Sequence, residues 1–236
     1  MDYSKNIKSG YMRIQLFFFN FAYLYLLIIL FTEKSILSTV LVDSITIYLI
    51  TIASFMVILN KQIFYLNIPN LITNFRLVIN IFILVMVLNI NNYDKNLVLF
   101  LSLMSISLDG IDGYLSRRLR QTTEFGYVFD QEVDNFLILI LCFSIVYNHD
   151  YNLYILLIPF YRYIFLLLIQ LKIISKDPLP DSFFRKSICV VLISSLIACN
   201  HYNTTESLSA LLYLSIILLT YSFIRDIVWL YRIKNV

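Results

Sequence analysis

Apolar runs of bilayer length, separated by short polar clusters, fill the chain almost from end to end. Eight are read, at about residues 11–31, 36–59, 66–90, 96–115, 125–148, 151–171, 183–199 and 207–230. About 20 apolar residues cross a hydrocarbon core. Inside that core every backbone N–H and C=O must be paired within its own segment. These Ile-, Leu-, Phe- and Tyr-rich runs are therefore predicted to be helices despite a β-prone composition. The expected fold class is an all-α integral membrane protein with about eight transmembrane helices. The first run follows Lys5, Lys8 and Arg13, the charge order of a signal sequence. It is too long and lacks a small-residue cleavage site, so it is expected to remain as an anchor.

Composition narrows the class. Of 236 residues, 60% are hydrophobic and 14% charged, against roughly a quarter charged in a soluble domain. A soluble globular protein and a sizeable extramembrane domain are both excluded. The net charge of +3 is too small for a nucleic-acid partner. Cys142, Cys189 and Cys199 fall in apolar stretches without metal-site spacing and read as small buried apolar residues. His149 and His201 stand alone in polar connections, which leaves no Ser/His or Cys/His pair for nucleophilic catalysis.

Charge position supplies the orientation. With both termini on one face, that face holds Lys5, Lys8, Arg13, Lys61, Arg117, Arg118, Arg120, Lys172, Lys176, Arg185, Lys186, Arg232 and Lys234. The opposite face holds only Lys34 and Lys95, while Arg76, Arg162 and Arg225 lie inside predicted spans. The positive-inside rule then makes both termini cytoplasmic.

Six of the fifteen acids lie between positions 109 and 134: Asp109, Asp112, Glu124, Asp130, Glu132 and Asp134. A carboxylate at the centre of a spanning helix costs about 3 kcal/mol on insertion scales, so a group of them must face a cavity, a cation or a partner. At 100° per residue, Asp109, Asp112, Gly113, Ser116 and Arg117 share an arc of roughly 140° on one helix. On the next helix Thr123, Gly126, Asp130 and Asp134 share roughly 80°, and Glu132 points elsewhere. A short basic turn joins the two helices, so four Asp carboxylates are expected to converge near the cytoplasmic interface. Unneutralised, they would repel strongly in a low dielectric. Hard divalent cations such as Mg²⁺ or Mn²⁺ are the natural counterions, and these favour oxygen ligands together with substrate phosphates. The plainer alternative is a solvated belt in which the acids pair with Arg117, Arg118 and Arg120. It does not account for four Asp at these spacings with glycines where a ligand would approach.

The pattern Asp109-x2-Asp112-Gly113-x2-Ser116-Arg117-x8-Gly126-x3-Asp130-x3-Asp134 resembles the signature of the CDP-alcohol phosphatidyltransferases. Ser116 stands where that family normally has Ala. Upstream, Pro69-Asn70-Leu71-Ile72-Thr73-x2-Arg76 is similar to the segment opening the family's first core helix, so the resemblance covers about residues 66 to 230. It implies a six-helix catalytic core over residues 61–236, and two extra helices in residues 1–60 fall outside that core, with a homodimer surface, a lid or an anchor as the open alternatives.

The resemblance further implies that an alcohol hydroxyl attacks the β-phosphorus of a CDP-linked lipid, CDP-diacylglycerol first among them, releasing CMP. The setting it implies is the inner membrane of a bacterium, with the active site cytoplasmic. By motif position Asp109, Asp112, Asp130 and Asp134 are metal ligands for two ions, and Asp134 is also the base. Asn70, Thr73, Gly113, Arg117, Thr123 and Gly126 would contact the CDP-lipid. Arg162, Arg185 and Lys186 form a candidate basic pocket for a phosphorylated acceptor, glycerol 3-phosphate or inositol phosphate. Serine, choline and free inositol are the alternatives. Two rival classes fit less well. A cation- or proton-coupled transporter would spread its acids through related halves, and an intramembrane prenyltransferase would need a second Asp-rich motif, which is absent.

Overall fold

The computed structural model describes residues 68–88, 93–119, 124–149, 151–175, 177, 179–180, 182–202 and 205–234. The first two expected spans, the 1–60 segment and Thr123 lie outside the described residues. All regular structure among the described residues is helical: Ile68–Leu88 (α1), Lys95–Leu119 (α2), Glu124–His149 (α3), a 3₁₀ segment Leu153–Leu157, Phe160–Gln170 (α4), Phe183–His201 (α5) and Glu206–Lys234 (α6). Four of them, α1, α2, α5 and α6, are long and apolar enough to cross a membrane. The chain divides into two compact units at residues 144/145.

In the first unit, α1 and α2 run antiparallel, since Thr73 meets Asp112, Arg76 meets Asp109 and Asn80 meets Ser105. Both helices are inverted relative to a soluble amphipathic helix. Ile68, Leu71, Phe75, Val78 and Phe82 form an exposed stripe at helical spacing on α1, the face such a helix turns to lipid. The buried side of α2 carries Val98, Ser102, Ser105 and Asp112. Small serines there allow close backbone approach, the usual basis of helix packing in a bilayer. α3 begins polar and becomes apolar: from Phe136 to Tyr147 nearly every side chain is buried.

In the second unit α5 packs along α6, with the hydroxyls of Ser195 and Ser215 3.4 Å apart and both buried. The run at 151–171 is not one helix. Pro159 has no N–H to continue the preceding turn, so the chain makes a 3₁₀ segment and restarts as an 11-residue helix with Pro159 at its N-cap. At 1.5 Å per residue, α4 is about 16 Å long, short of the ~30 Å hydrocarbon core. Cys142 and Cys199 are buried as expected. Cys189 is exposed, on the outward face of α5 beside the exposed Val190 and Val191.

Candidate active site

α1 places Asn70, Thr73, Arg76 and Asn80 on its buried side, spaced three, three and four residues apart and so on one face. Arg76 is 1% exposed, and the acids of the other two helices meet at its guanidinium. Nη1 lies 2.9 Å from Asp109, 3.2 Å from Asp112 and 2.6 Å from Asp130, while Nη2 donates to Asp134. The Thr73 hydroxyl lies 3.0 Å from Asp112 Oδ2 and 3.1 Å from the Pro69 carbonyl, one donor between two acceptors. The four aspartates brought together by helical spacing on α2 and α3 thus converge, with Asp112 buried and the other three partly open. Glu132 is not among them.

Oxygens of Asp109, Asp112 and Asp130 lie within 4.8 Å of one another. Ligands of one octahedral Mg²⁺ stand about 3.0 Å apart when adjacent and about 4.2 Å when opposite, so these oxygens would draw together around a bound ion. The donor chemistry fits as well, since all three ligands are carboxylates. Arg76 Nη1 already sits as a cation among these three acids, and one guanidinium against four carboxylates leaves negative charge for further cations to offset. Asp134 stands apart from the triad, on the other arm of the fork.

Of the remaining expected residues, Asn70 is buried near the start of α1. Gly113 faces Arg117: a Cβ built on the glycine would meet only the Arg117 guanidinium nitrogens, at 3.9 Å. The packing of described residues therefore does not demand glycine there, and the open backbone is left for a ligand. Arg117 is exposed, and Gly126 lies in the first turn of α3. In the second unit Arg162 is half-buried on α4 and Lys186 is exposed. Arg185 is engaged by Asp226 at 3.1 Å and by the Pro180 carbonyl. The residue that sequence reasoning did not place in the site is Arg76. Its position three residues after Thr73, inside an apolar span, was the available signal.

A family model described as CDP-alcohol phosphatidyltransferase matches residues 66–224. The chain belongs to that family. The cluster on α2 and α3, and α1 that holds it, lie within the matched residues. Among curated proteins, the CDP-diacylglycerol–glycerol-3-phosphate 3-phosphatidyltransferase of Pseudomonas fluorescens is 39% identical over 94 residues, 39% of this chain and 47% of that relative. The chain thus spans about half the length of the curated relative it matches. No solved structure matches it.

Proposed function

We propose that this protein transfers a phosphatidyl group from CDP-diacylglycerol to the hydroxyl of glycerol 3-phosphate, releasing CMP. The observation that carries the reading is the convergence of Asp109, Asp112, Asp130 and Asp134 on one cationic position. The acceptor hydroxyl oxygen forms a bond to the lipid-side phosphorus while the bond from that phosphorus to CMP oxygen breaks, and the hydroxyl proton passes to Asp134. No enzyme-bound covalent intermediate is needed, in keeping with a sequence in which His149 and His201 stand alone. Asp109, Asp112, Asp130 and Asp134 would hold two divalent cations, Mg²⁺ or Mn²⁺, whose charge supports the pyrophosphate and the departing CMP. Arg76 and Thr73 orient the carboxylates. Arg117 binds a donor phosphate by charge-assisted hydrogen bonds, and Gly113 gives the donor close backbone access, with Asn70, Thr123 and Gly126 completing the CDP contacts.

Glycerol 3-phosphate is chosen over serine, choline and free inositol on two grounds. The matched relative is named for it. The second unit also carries Arg162 inside an apolar stretch, where an arginine ordinarily faces protein or a ligand. Arg162, with Lys186 and Arg185 as weaker contributors, is proposed to bind the acceptor phosphate. Purified protein given CDP-diacylglycerol, Mg²⁺ and a panel of labelled alcohols should yield mainly the glycerol 3-phosphate product on thin-layer separation. A product formed from serine, choline or inositol instead would replace the acceptor. Arg162→Ala should raise the acceptor KM about ten- to a hundredfold, corresponding to a charge-assisted contact of roughly 1.5–3 kcal/mol, with the CDP-lipid KM nearly unchanged.

A further inference from the structure

Directly beneath the charged layer lies a second, uncharged one. Asn80, on α1 one helical turn after Arg76, is 0% exposed. Its amide nitrogen donates to the Val133 carbonyl of α3 at 3.1 Å, and its amide oxygen accepts from the Ser105 hydroxyl of α2 at 2.8 Å. Both partners are immediate neighbours of the acids. Ser105 is one turn before Asp109, and Val133 is the residue before Asp134. One side chain thus ties three helices at the level where each begins to present its charged group.

We propose that Asn80 is a positioning residue that sets the height and rotation of α2 and α3 relative to α1, and so the separation of the four carboxylates. The argument is geometric. A slip of one residue moves a helix by 1.5 Å and turns it by 100°, enough to scatter the triad. The Arg76 fork does not prevent such a slip on its own, because it faces four equivalent acceptors and can exchange among them. The Asn80 amide can make this pair of bonds in one arrangement only: the carbonyl must meet its nitrogen and the hydroxyl its oxygen. Between helices in a bilayer, where apolar contact with a neighbour is little better than contact with lipid, such directed bonds carry the register. Nothing in the apolar run around position 80 marks it as different from a tolerated polar residue; its role rests on the two partners on other helices.

The inference rests on the proposed phosphatidyl transfer for its kinetic readout, so a second readout independent of activity accompanies it. Asn80→Leu is expected to fold, because it strands no polar group. The Ser105 hydroxyl can turn to a carbonyl of its own helix, and the Val133 carbonyl keeps its place in the α3 ladder. In full-length protein lacking the exposed Cys189 (Cys189→Ser), spin labels on Arg118→Cys and Tyr127→Cys, both exposed ends of α2 and α3, report the spacing of the two helices. Wild-type position 80 should give a narrow distance distribution and Asn80→Leu a broadened one. The kcat should fall at least tenfold, with the CDP-lipid KM within about threefold of wild type. Ser105→Ala, which removes one of the two bonds, should give an intermediate broadening and a severalfold loss of kcat. It also decides the matter if Asn80→Leu does not fold. An unchanged distribution, or an unchanged kcat, in the folded variant overturns the proposal. If the parent protein shows no transfer at all, the functional reading fails, and the distance distributions alone decide the role of Asn80.

Discussion

Arg76 concentrates in one side chain the electrostatic problem that the aspartates create. Four carboxylates on two helices repel, and a buried guanidinium with two arms supplies a fixed positive charge that reaches all of them. Removing one partner of a buried charge network typically costs roughly 3–5 kcal/mol. Arg76→Met should therefore lower the thermal stability of the protein in excess EDTA. It should also make added Mg²⁺ or Mn²⁺ raise the melting temperature more than in wild type, because the ion then supplies the missing charge. Equal shifts for the two proteins would show that Arg76 does not share the cation's electrostatic role. The aspartates were legible in the sequence because their arrangement is set by the 3.6-residue period of their own helices. The place of Arg76 was not, since its partners sit 33 to 58 residues away on other helices. For the same reason the sequence did not show that the Thr73 hydroxyl meets Asp112.

At the scale of elements, the bounds of α1, α2, α3, α5 and α6 follow the apolar runs closely because the bilayer leaves a long stretch one regular conformation. The stretch at 151–171 departs from this. Hydropathy alone does not register that Pro159 interrupts the hydrogen-bond ladder, and the chain answers with a 3₁₀ segment and a short helix. That short helix closes with Lys172 in the left-handed region at φ 56°, its N–H on the Ile169 carbonyl and the next N–H, of Ile173, on the Leu168 carbonyl. This is the bonding of a Schellman cap, where glycine is the usual residue. The left-handed conformation costs a non-glycine residue about 1–2 kcal/mol. Lys172→Gly should accordingly stabilise the protein by up to about 1 kcal/mol, and Lys172→Val should destabilise it, both read as midpoint shifts in detergent unfolding. The opposite order would remove the cap from the account of how α4 ends.

For the whole molecule, thirteen basic residues on the terminal side against two on the other motivate a topology in which the ends and the aspartates face the cytoplasm. Cysteines replacing Arg118 and Tyr202, both exposed, should label from the cytoplasmic and the external side respectively with an impermeant reagent. Labelling of both from one side would contradict the charge-based topology. An eight-position signature over two adjacent helices, departed from only at Ser116, made the reaction class legible. The acceptor was not, because the basic residues proposed for it lie far from the signature in sequence and, like Arg185 on Asp226, also make contacts that serve the fold. The converging carboxylates are proposed to be a cation-dependent centre for phosphatidyl transfer. The most direct test is CMP release from CDP-diacylglycerol and glycerol 3-phosphate by purified protein, with Mg²⁺ present, with Mg²⁺ chelated, and with Asp130→Asn. Release in Mg²⁺, its loss in EDTA and its recovery on re-adding the ion are the expected results, together with a fall of at least about a hundredfold in the variant. Full release in EDTA, or wild-type release by Asp130→Asn, would contradict the account.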